Sequence, residues 1–268
     1  MPRAWRLLVD GEASGPWNMG VDEALLASAI AGGGSTLRLY RWNGPWLSLG
    51  YAQHLGAERL AACGEAGVGV VRRLTGGGAV LHGGDLTYAI AAPEAVLPPG
   101  LRATYQLAGA ALRSALLALG IEARPTPGVA PAPRRGAFDC FSEPAGDELC
   151  AEGRKLVGSA QRRARGGVLQ HGSIRVYPDP APLRAAAGLD AGVATSLREL
   201  ACEHSRKTLA EACVAAFSRV LEVRFESGSL EVGEERIARE RAVSHRGDPI
   251  AVPIFAPREA SRGLSGGR

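Results

Sequence analysis

Three consecutive glycines preceded by two arginines form the first stretch of the sequence that can bind a ligand. The stretch RRLTGGGAVLH covers residues 72–82, and its glycines are Gly76, Gly77 and Gly78. Because glycine has no side chain, this backbone can approach a ligand closely and offer its N–H groups to a polar or anionic atom. Successive side chains of a strand point to opposite faces, so only one of Arg72 and Arg73 can face that ligand. A tight hairpin loop with incidental basic residues is the alternative interpretation.

The second stretch places a cysteine fifteen residues before a lysine, at Cys140 and Lys155. A thiolate stabilised by a nearby ammonium group is a ready nucleophile, and a lysine held in an apolar pocket can act as an acid or a base. Cys63 and Cys213 fall in predicted helices, and Cys150 falls in a strand before a turn. Because most Cys and Lys pairs at such a spacing have no function, the spacing alone leaves a nucleophilic site as an open hypothesis.

Small and polar residues occupy two neighbouring predicted strands that follow the lysine. They are Gly158, Ser159 and Ala160 on the first strand and His171 on the second. Small side chains leave room for a narrow tunnel, although they equally suit close packing between strands. His82 is interpreted either as a structural histidine or as part of the wall of the same site. The residues alone therefore predict a ligand site built from the glycine loop and the lysine, with the thiol as an open addition.

Composition and charge exclude several classes of protein. The chain of 268 residues is 46% hydrophobic and 22% charged, as in ordinary globular proteins. Its net charge of +4 is too mild for nucleic-acid binding, which needs a concentrated basic stripe, but it suits an acidic protein partner. The five cysteines show no CxxC spacing, which argues against a zinc site and a disulfide framework. The chain has no apolar run typical of a membrane helix or a signal peptide, so we expect a cytoplasmic protein with free thiols.

The apolar residues indicate strands and helices mixed without strict alternation. Helices are predicted over residues 17–30, 56–66, 102–119, 208–223 and 230–243, and strands over residues 5–9, 36–42, 46–52, 68–73, 79–92 (two strands) and 167–177. A hairpin is predicted to turn at Glu152 and Gly153, and the proline-rich residues 125–136 are expected to form an exposed loop. This mixture predicts an α+β domain with a mainly antiparallel or mixed sheet flanked by helices.

The sequence RRLTGGGAVLH, together with GRKLVGSAQRR and LQHGSI, resembles the superfamily of lipoate–protein ligases and octanoyltransferases, which are relatives of the biotin ligases. The resemblance runs from about residue 18 to residue 177 and continues toward the helix near residue 220. It implies one catalytic domain of the biotin and lipoate ligase fold over residues 1–245, followed by a flexible tail over residues 246–268. The glycine motif of biotin ligases is absent, which argues against biotin transfer.

The resemblance also implies a reaction and its residues. Ligases of this superfamily activate free lipoate with ATP, whereas octanoyltransferases take an octanoyl group from acyl carrier protein through a cysteine thioester and need no cofactor. A cysteine fifteen residues before the motif lysine is similar to the single-domain octanoyltransferases, since ligases generally lack it. The resemblance implies Cys140 as the nucleophile and Lys155 as the site lysine. The substrate-binding residues that it implies are Arg72, Gly76, Gly77, Gly78, His82, Gly158, Ser159, Ala160 and His171.

The implied partners are octanoyl-acyl carrier protein as donor and a lipoyl domain, such as the glycine-cleavage H protein, as acceptor. No metal, nucleic acid or membrane is implied, and we expect a monomer. Lys155 is expected to favour the thiolate, to help deprotonate the acceptor amine and to stabilise the oxyanion. Two groups of arginines suit docking of the acidic carrier protein: Arg134 and Arg135, and Arg162, Arg163 and Arg165. The alternatives are an ATP-dependent ligase without its accessory domain, an amidotransferase between lipoyl domains, and a non-catalytic acyl-binding protein.

Overall fold

The helices and strands lie within residues 2–126, 139–141, 148–189 and 194–247, which the computed structural model describes. The strands are β1 (Arg3–Ala13), β2 (Thr36–Trp42), β3 (Trp46–Leu49), β4 (Gly69–Arg72), β5 (Val80–His82), β6 (Asp85–Pro93), β7 (Arg124–Pro125), β8 (Leu149–Ala151), β9 (Arg154–Ala164), β10 (Gly167–Arg175) and β11 (Val223–Ser227). The α-helices are α1 (Gly15–Ile30), α2 (Ala57–Glu65), α3 (Leu101–Ala118), α4 (Ala181–Ala187), α5 (Arg206–Leu221) and α6 (Val232–Gly247).

An eight-stranded sheet in the order β11-β1-β2-β6-β10-β9-β8-β7 forms the centre of the fold. β1 runs parallel to both β11 and β2, while the pairs from β2 through to β7 are antiparallel. A second sheet has the order β4-β3-β5, in which β3 is parallel to β4 and antiparallel to β5. The predicted α+β class with a mixed sheet is confirmed.

Side chains on β6 show how the large sheet separates two layers. Leu86, Tyr88 and Ile90 pack in the apolar cluster that contains the buried faces of α3 and α5. Ala89 and Ala91 point to the other face and pack in a cluster with α1. This alternation follows from the two-residue period of a strand. The large sheet therefore has α3 and α5 on one face and α1 on the other.

The small sheet lies on the α1 side of the molecule. Its strands pack with α2 and α4 through a third apolar cluster that includes Leu47, Leu81 and Cys63. Val71 of β4 and Leu74 instead join the cluster of α1. The space that contains the glycine loop is therefore bounded by the two sheets and by α1.

Several elements differ from the prediction at their ends. Helix α1 begins at Gly15 because the Ser14 side chain caps it by accepting from the Trp17 N–H. The predicted strand over residues 46–52 ends at Leu49. The helix predicted to reach residue 223 ends at Leu221, where Glu222 adopts a left-handed φ of 53° and the chain turns into β11. Strands β7 and β11 and helix α4 were not predicted from the sequence, and Pro125 of β7 falls in the predicted loop.

The predicted hairpin at Glu152 and Gly153 is confirmed, and both residues have positive φ values, of 49° and 74°. Most of the predicted loop at 125–136 lies outside the described residues, as do residues 248–268 of the predicted tail. Helix α6 continues to Gly247, so the first two residues of the predicted tail are helical. The division at residue 245 stays a prediction. None of the helices in the described part of the chain has the length and apolarity of a membrane span.

Candidate active site

The backbone of Cys140 lies directly against the glycine loop, residues 76–78. The Cys140 N–H donates to the carbonyl oxygen of Ala79 at 2.9 Å. A Cβ atom at Gly78 would lie only 2.5 Å from the backbone nitrogen of Cys140, so the approach requires glycine. Gly77 has a φ of +92°, which residues with side chains rarely adopt. The glycines were predicted to let a ligand approach the loop closely. In the structure the backbone of Cys140 makes this close approach.

Lys155 brings its ammonium group to the same cysteine. It lies near the start of β9, and its side chain is only 1% exposed. Its Nζ atom lies 3.5 Å from the Cys140 Sγ atom and 2.6 Å from the Oε1 atom of Glu148. The same Nζ lies 4.8 Å from the centre of the Phe141 ring. Cys140 and Lys155 therefore form a thiol–ammonium pair, and Glu148 contacts the same ammonium group.

The charges around Lys155 decide its protonation state. Burial opposes the ammonium form, but the negative charges of Cys140 and Glu148 outweigh burial and raise the pKa of Lys155 above its usual value. Lys155 consequently remains a cation at physiological pH. A cation next to sulfur stabilises a thiolate or a developing oxyanion. The expected role of Lys155 as a base toward the acceptor amine is not favoured by this environment.

The two arginines before the glycine loop have different partners. The Nη2 atom of Arg73 donates to the carbonyl oxygens of Gly76 and Gly78 at 2.8 and 2.7 Å. The Nη1 atom of Arg72 instead donates to the carbonyl oxygens of residues 50, 51 and 53. Arg73, rather than the expected Arg72, is therefore the arginine that shapes the glycine loop. The two face apart, as the alternation of a strand requires.

A cavity of about 30 Å³ opens beside Cys140. Its lining includes Arg73, His82, Cys140, Gly158, Ser159, Ala160 and His171. Gly158 and Ala160 of β9 pair with Ser173 and His171 of β10, so these four residues share the face of the sheet that bounds the cavity. At Gly158 a Cβ atom would lie 3.2 Å from the Phe141 ring and 3.4 Å from the Lys155 Cε atom. The small residues predicted to leave room for a tunnel thus border a narrow cavity next to the thiol.

His82 is held between a hydroxyl group and a carboxylate. Its Nε2 atom lies 2.8 Å from the Ser48 Oγ atom, and its Nδ1 atom lies 2.8 Å from the Asp85 Oδ2 atom. The imidazole ring stacks on Trp42 at 4.0 Å between ring centres. Burial raises the pKa of Asp85, but the His82 charge and hydrogen bonds from neighbouring groups outweigh it and lower this pKa to about 2. Asp85 therefore stays ionised and fixes the orientation of the ring.

His171 has a matching environment. Its Nε2 atom lies 2.7 Å from the Thr75 Oγ1 atom, and its Nδ1 atom lies 2.8 Å from the Asp22 Oδ2 atom. Burial opposes ionisation of Asp22, but hydrogen bonds and charges from His171 and Arg38 outweigh it and lower the pKa of Asp22. Each histidine therefore sits between a hydroxyl and an ionised aspartate on the wall of the cavity.

Ser48, Thr75, Glu148, Asp22 and Asp85 were not predicted as site residues, and Arg72 was predicted in place of Arg73. Arg73 had a signal, because it was the alternative to Arg72. Ser48 and Thr75 had none, since their histidine partners are 34 and 96 residues away. The arginines at 134 and 135 lie outside the described residues, whereas the Arg162 guanidinium lies over the Tyr51 ring at 5.7 Å. Among the described residues no group of three or more His, Cys, Asp or Glu could hold a metal ion.

Comparison with known proteins identifies the family of the chain. The family model described as the lipoyl protein ligase A/B catalytic domain matches residues 14–218. The octanoyltransferase LipM of Kyrpidia tusciae is 36% identical over 92% of this chain and 97% of its own length. The octanoyltransferase LipM of Symbiobacterium thermophilum is 36% identical over 89% of this chain and 94% of its own.

Solved structures give the same fold. A structure described as a lipoate protein ligase from T. acidophilum with bound lipoic acid has a TM-score of 0.74 and 25% identity. The match covers 88% of this chain and 94% of that chain. A crystal structure of lipoate-protein ligase A bound with ATP has a TM-score of 0.77 and 25% identity, over 90% of this chain and 94% of that one.

Proposed function

Since the chain belongs to the lipoyl protein ligase A/B catalytic-domain family, we propose that it is an octanoyltransferase that carries the acyl group on Cys140. The donor is octanoyl-acyl carrier protein, and the acceptor is the lysine of a lipoyl domain such as the glycine-cleavage H protein. The enzyme acts in lipoate biosynthesis, in the cytoplasm and as a monomer. The similarity to the LipM octanoyltransferases supports this choice of reaction.

One observation carries the proposal: the Lys155 Nζ atom lies 3.5 Å from the Cys140 Sγ atom at the wall of a narrow cavity. An ammonium group at this distance favours the thiolate, which is the nucleophilic form of cysteine. The pKa of Lys155 is raised, which keeps its charge in place while the thiolate reacts. An ATP-dependent activation of free lipoate would not need such a nucleophile.

In the first step the Cys140 thiolate attacks the thioester carbonyl carbon of the donor. A bond from Sγ to the carbonyl carbon forms, and the bond from that carbon to the pantetheine sulfur breaks. The pantetheine sulfur leaves as a thiolate and takes a proton from solvent. A thioester is exchanged for a thioester, so this step needs no ATP.

In the second step the neutral amine of the acceptor lysine attacks the acyl-enzyme. A carbon–nitrogen bond forms, the bond from the carbonyl carbon to Sγ breaks, and the Cys140 thiolate is regenerated while the amine proton passes to solvent. Lys155 acts here as a fixed cation that stabilises the oxyanion and the leaving thiolate. Because its ammonium form is favoured, Lys155 stabilises negative charge in both steps. It does not act as the base that removes the amine proton.

The glycine loop supplies the remaining donors. The Gly76 carbonyl points at Arg73, and in a trans peptide the N–H of the next residue points the opposite way. The Gly77 N–H is therefore directed away from Arg73, and in this proposal it donates to a substrate oxygen. The glycine residues, with Gly158, Ser159, Ala160, His82 and His171 around the cavity, bind the acyl chain and its carbonyl in this proposal.

Docking of the donor follows from charge. Acyl carrier proteins are strongly acidic, and this chain has a net charge of +4. Arg162, which lies beside Tyr51, and the exposed Arg165 belong to the basic cluster proposed to receive the carrier protein. Arg163 of the predicted cluster is instead paired with Glu94 and hydrogen-bonded to Thr104 within the protein. Complementary charge of this kind mainly increases the rate of encounter, so transfer should slow as salt concentration rises.

A transfer assay with three donor conditions tests the proposed function. The acceptor H protein is incubated with octanoyl-acyl carrier protein without ATP, with lipoate and ATP, or with a second octanoylated lipoyl domain, and its mass is followed. The proposal predicts acceptor modification in the first condition, lost in Cys140→Ala and kept in Cys150→Ser. Modification only with lipoate and ATP, and insensitive to Cys140→Ala, would indicate a ligase. Modification only from the octanoylated lipoyl domain would indicate an amidotransferase. If the acceptor is modified in none of the three conditions, the result would indicate a non-catalytic acyl-binding protein.

A further inference from the structure

Arg73 uses all of its N–H groups inside the protein. The Nε atom donates to the Thr75 Oγ1 atom at 3.2 Å. The Nη1 atom donates to the carbonyl oxygen of Ser48 at 2.9 Å and to its Oγ atom at 3.3 Å. The Nη2 atom donates to the carbonyl oxygens of Gly76 and Gly78. A guanidinium group has five N–H donors, so this set accounts for every one. Arg73 is thus occupied before any substrate arrives.

The Ser48 hydroxyl that contacts Arg73 continues into a chain of hydrogen bonds through His82 to Asp85. Asp85 is ionised and can only accept, so the Nδ1 atom of His82 must carry the proton between them. The Nε2 atom of His82 lies 2.8 Å from the Ser48 Oγ atom, and that oxygen keeps a lone pair for Arg73 whether it donates to the ring or accepts from it. The Ser48 hydroxyl therefore joins Arg73 to the His82 and Asp85 pair.

The second chain repeats this order from the other side of the guanidinium group. Asp22 is ionised, so the Nδ1 atom of His171 donates to it, and the Nε2 atom lies 2.7 Å from the Thr75 Oγ1 atom. The Thr75 oxygen then accepts from the Nε atom of Arg73. Asp22 lies on α1 and Asp85 begins β6, so the two chains anchor Arg73 to separate layers of the fold.

We propose that Arg73 is a positioning residue, locked by these two chains, that holds the glycine loop against Cys140 and places a second fixed positive charge beside its thiolate. Two observations place this charge near the nucleophile. Arg73 and Cys140 line the same cavity, and the Gly78 carbonyl that Arg73 holds belongs to the residue packed on the Cys140 backbone. The inference rests on the proposed function in that it assumes Cys140 reacts as a thiolate.

The electrostatics of Arg73 are consistent with this position. Burial lowers the pKa of Arg73 from its usual value, while the negative charge of Cys140 acts in the opposite direction. An arginine remains protonated under these conditions. Because every N–H group of Arg73 has a partner inside the protein, Arg73 supplies positive charge and holds the glycine loop in place. The glycine loop, and not Arg73, binds the substrate.

Alkylation of Cys140 by iodoacetamide as a function of pH tests the inference without any acyl donor. The modified cysteine is identified by peptide mass spectrometry, since the chain has five cysteines. Arg73→Gln removes the charge, so the pH of half-maximal alkylation should rise by about one unit. Arg73→Lys keeps the charge and should stay near the wild-type midpoint. A folded Arg73→Gln protein with the wild-type midpoint would overturn the proposal that the Arg73 charge stabilises the Cys140 thiolate.

Thr75→Val and Thr75→Ser test the lock, and both are close in volume to the native residue. Valine cannot connect Arg73 to His171, so octanoyl transfer should fall roughly tenfold through misplacement of the loop, while serine keeps the hydroxyl and should restore it. Wild-type transfer in Thr75→Val would overturn the locking role. If the wild-type protein transfers no octanoyl group, the proposed function fails, and the alkylation midpoints still decide whether Arg73 acts on Cys140. Melting temperatures check that each variant is folded.

Discussion

Replacing Glu148 by glutamine perturbs a carboxylate that touches Lys155, and the structure predicts its effect on the pH dependence of the reaction. The Glu148 carboxylate lies 2.6 Å from the Lys155 ammonium group, and the two side chains are 5% and 1% exposed. Burial favours the neutral lysine, and the charges of Cys140 and Glu148 reverse that preference. Without Glu148 the pKa of Lys155 should fall, because burial remains and one compensating charge is lost.

The magnitude follows from the distance. Two unit charges 2.6 Å apart attract by about 6 kcal/mol at an effective dielectric constant of 20, but desolvation cancels much of this gross value. A close opposite charge typically changes a pKa by about 1–3 units, so Lys155 should begin to lose its proton in mildly alkaline solution. The folded protein should also lose about 3 kcal/mol of unfolding free energy, since a buried ion pair is broken.

The assay is the initial rate of acyl-enzyme formation from octanoyl-acyl carrier protein between neutral pH and about pH 10. The rate of wild-type protein should persist to high pH, whereas the rate of Glu148→Gln should decline about 1–3 units earlier. Glu122→Gln is the matched control, because Glu122 pairs with Arg124 on the exposed surface. The same alkaline limit in Glu148→Gln and wild type would refute the assignment of Lys155 as a cation maintained by Glu148.

Three further predictions concern the loop, an aspartate and a buried thiol. Gly78→Ala should abolish transfer, because its Cβ atom would lie 2.5 Å from the Cys140 nitrogen. The control Gly109→Ala in α3 places its Cβ atom near no other atom and should add about 0.5–1 kcal/mol of stability. Equal transfer activity of the two variants would contradict this prediction. The pKa of Asp85 is about 2, below its unfolded value of 3.8, so its stabilising contribution is present above pH 3.8 and is lost as pH falls toward 2. Between pH 3.8 and pH 2 the free energy of unfolding of wild type should fall by about 2 kcal/mol more than that of Asp85→Asn. Equal decreases in the two proteins would contradict this prediction. Burial raises the pKa of Cys213 to about 12, so iodoacetamide at neutral pH should spare it in the native protein and modify it only after unfolding.

Local patterns in the sequence were sufficient to predict much of the fold. The apolar run of β6 and the apolar stripe of α3 predict both elements close to their observed ends. Strand β11 escaped prediction because its partner is β1, at the other end of the chain. A short edge strand that pairs in this way has little periodicity of its own, and its stability comes from a neighbour that local sequence does not reveal.

The candidate site was only partly accessible to the same reasoning. The resemblance supplied Cys140 and Lys155, and the structure places them 3.5 Å apart. Strand alternation established that Arg72 and Arg73 diverge, but choosing between them requires knowing which side of β4 faces the cavity. Glu148 gave no signal, because an acidic residue before a strand is usually solvated and only the fold buries it against Lys155.

Intact-protein mass spectrometry after mixing the enzyme with octanoyl-acyl carrier protein, without ATP, tests the central claim most directly. The covalent mechanism predicts one hydroxylamine-sensitive octanoyl adduct on wild-type protein, kept in Cys150→Ser and absent from Cys140→Ala. Peptide mapping should place that adduct on Cys140. An adduct that persists in Cys140→Ala, or a wild-type protein that transfers octanoyl to its acceptor without ever carrying one, would contradict the covalent mechanism.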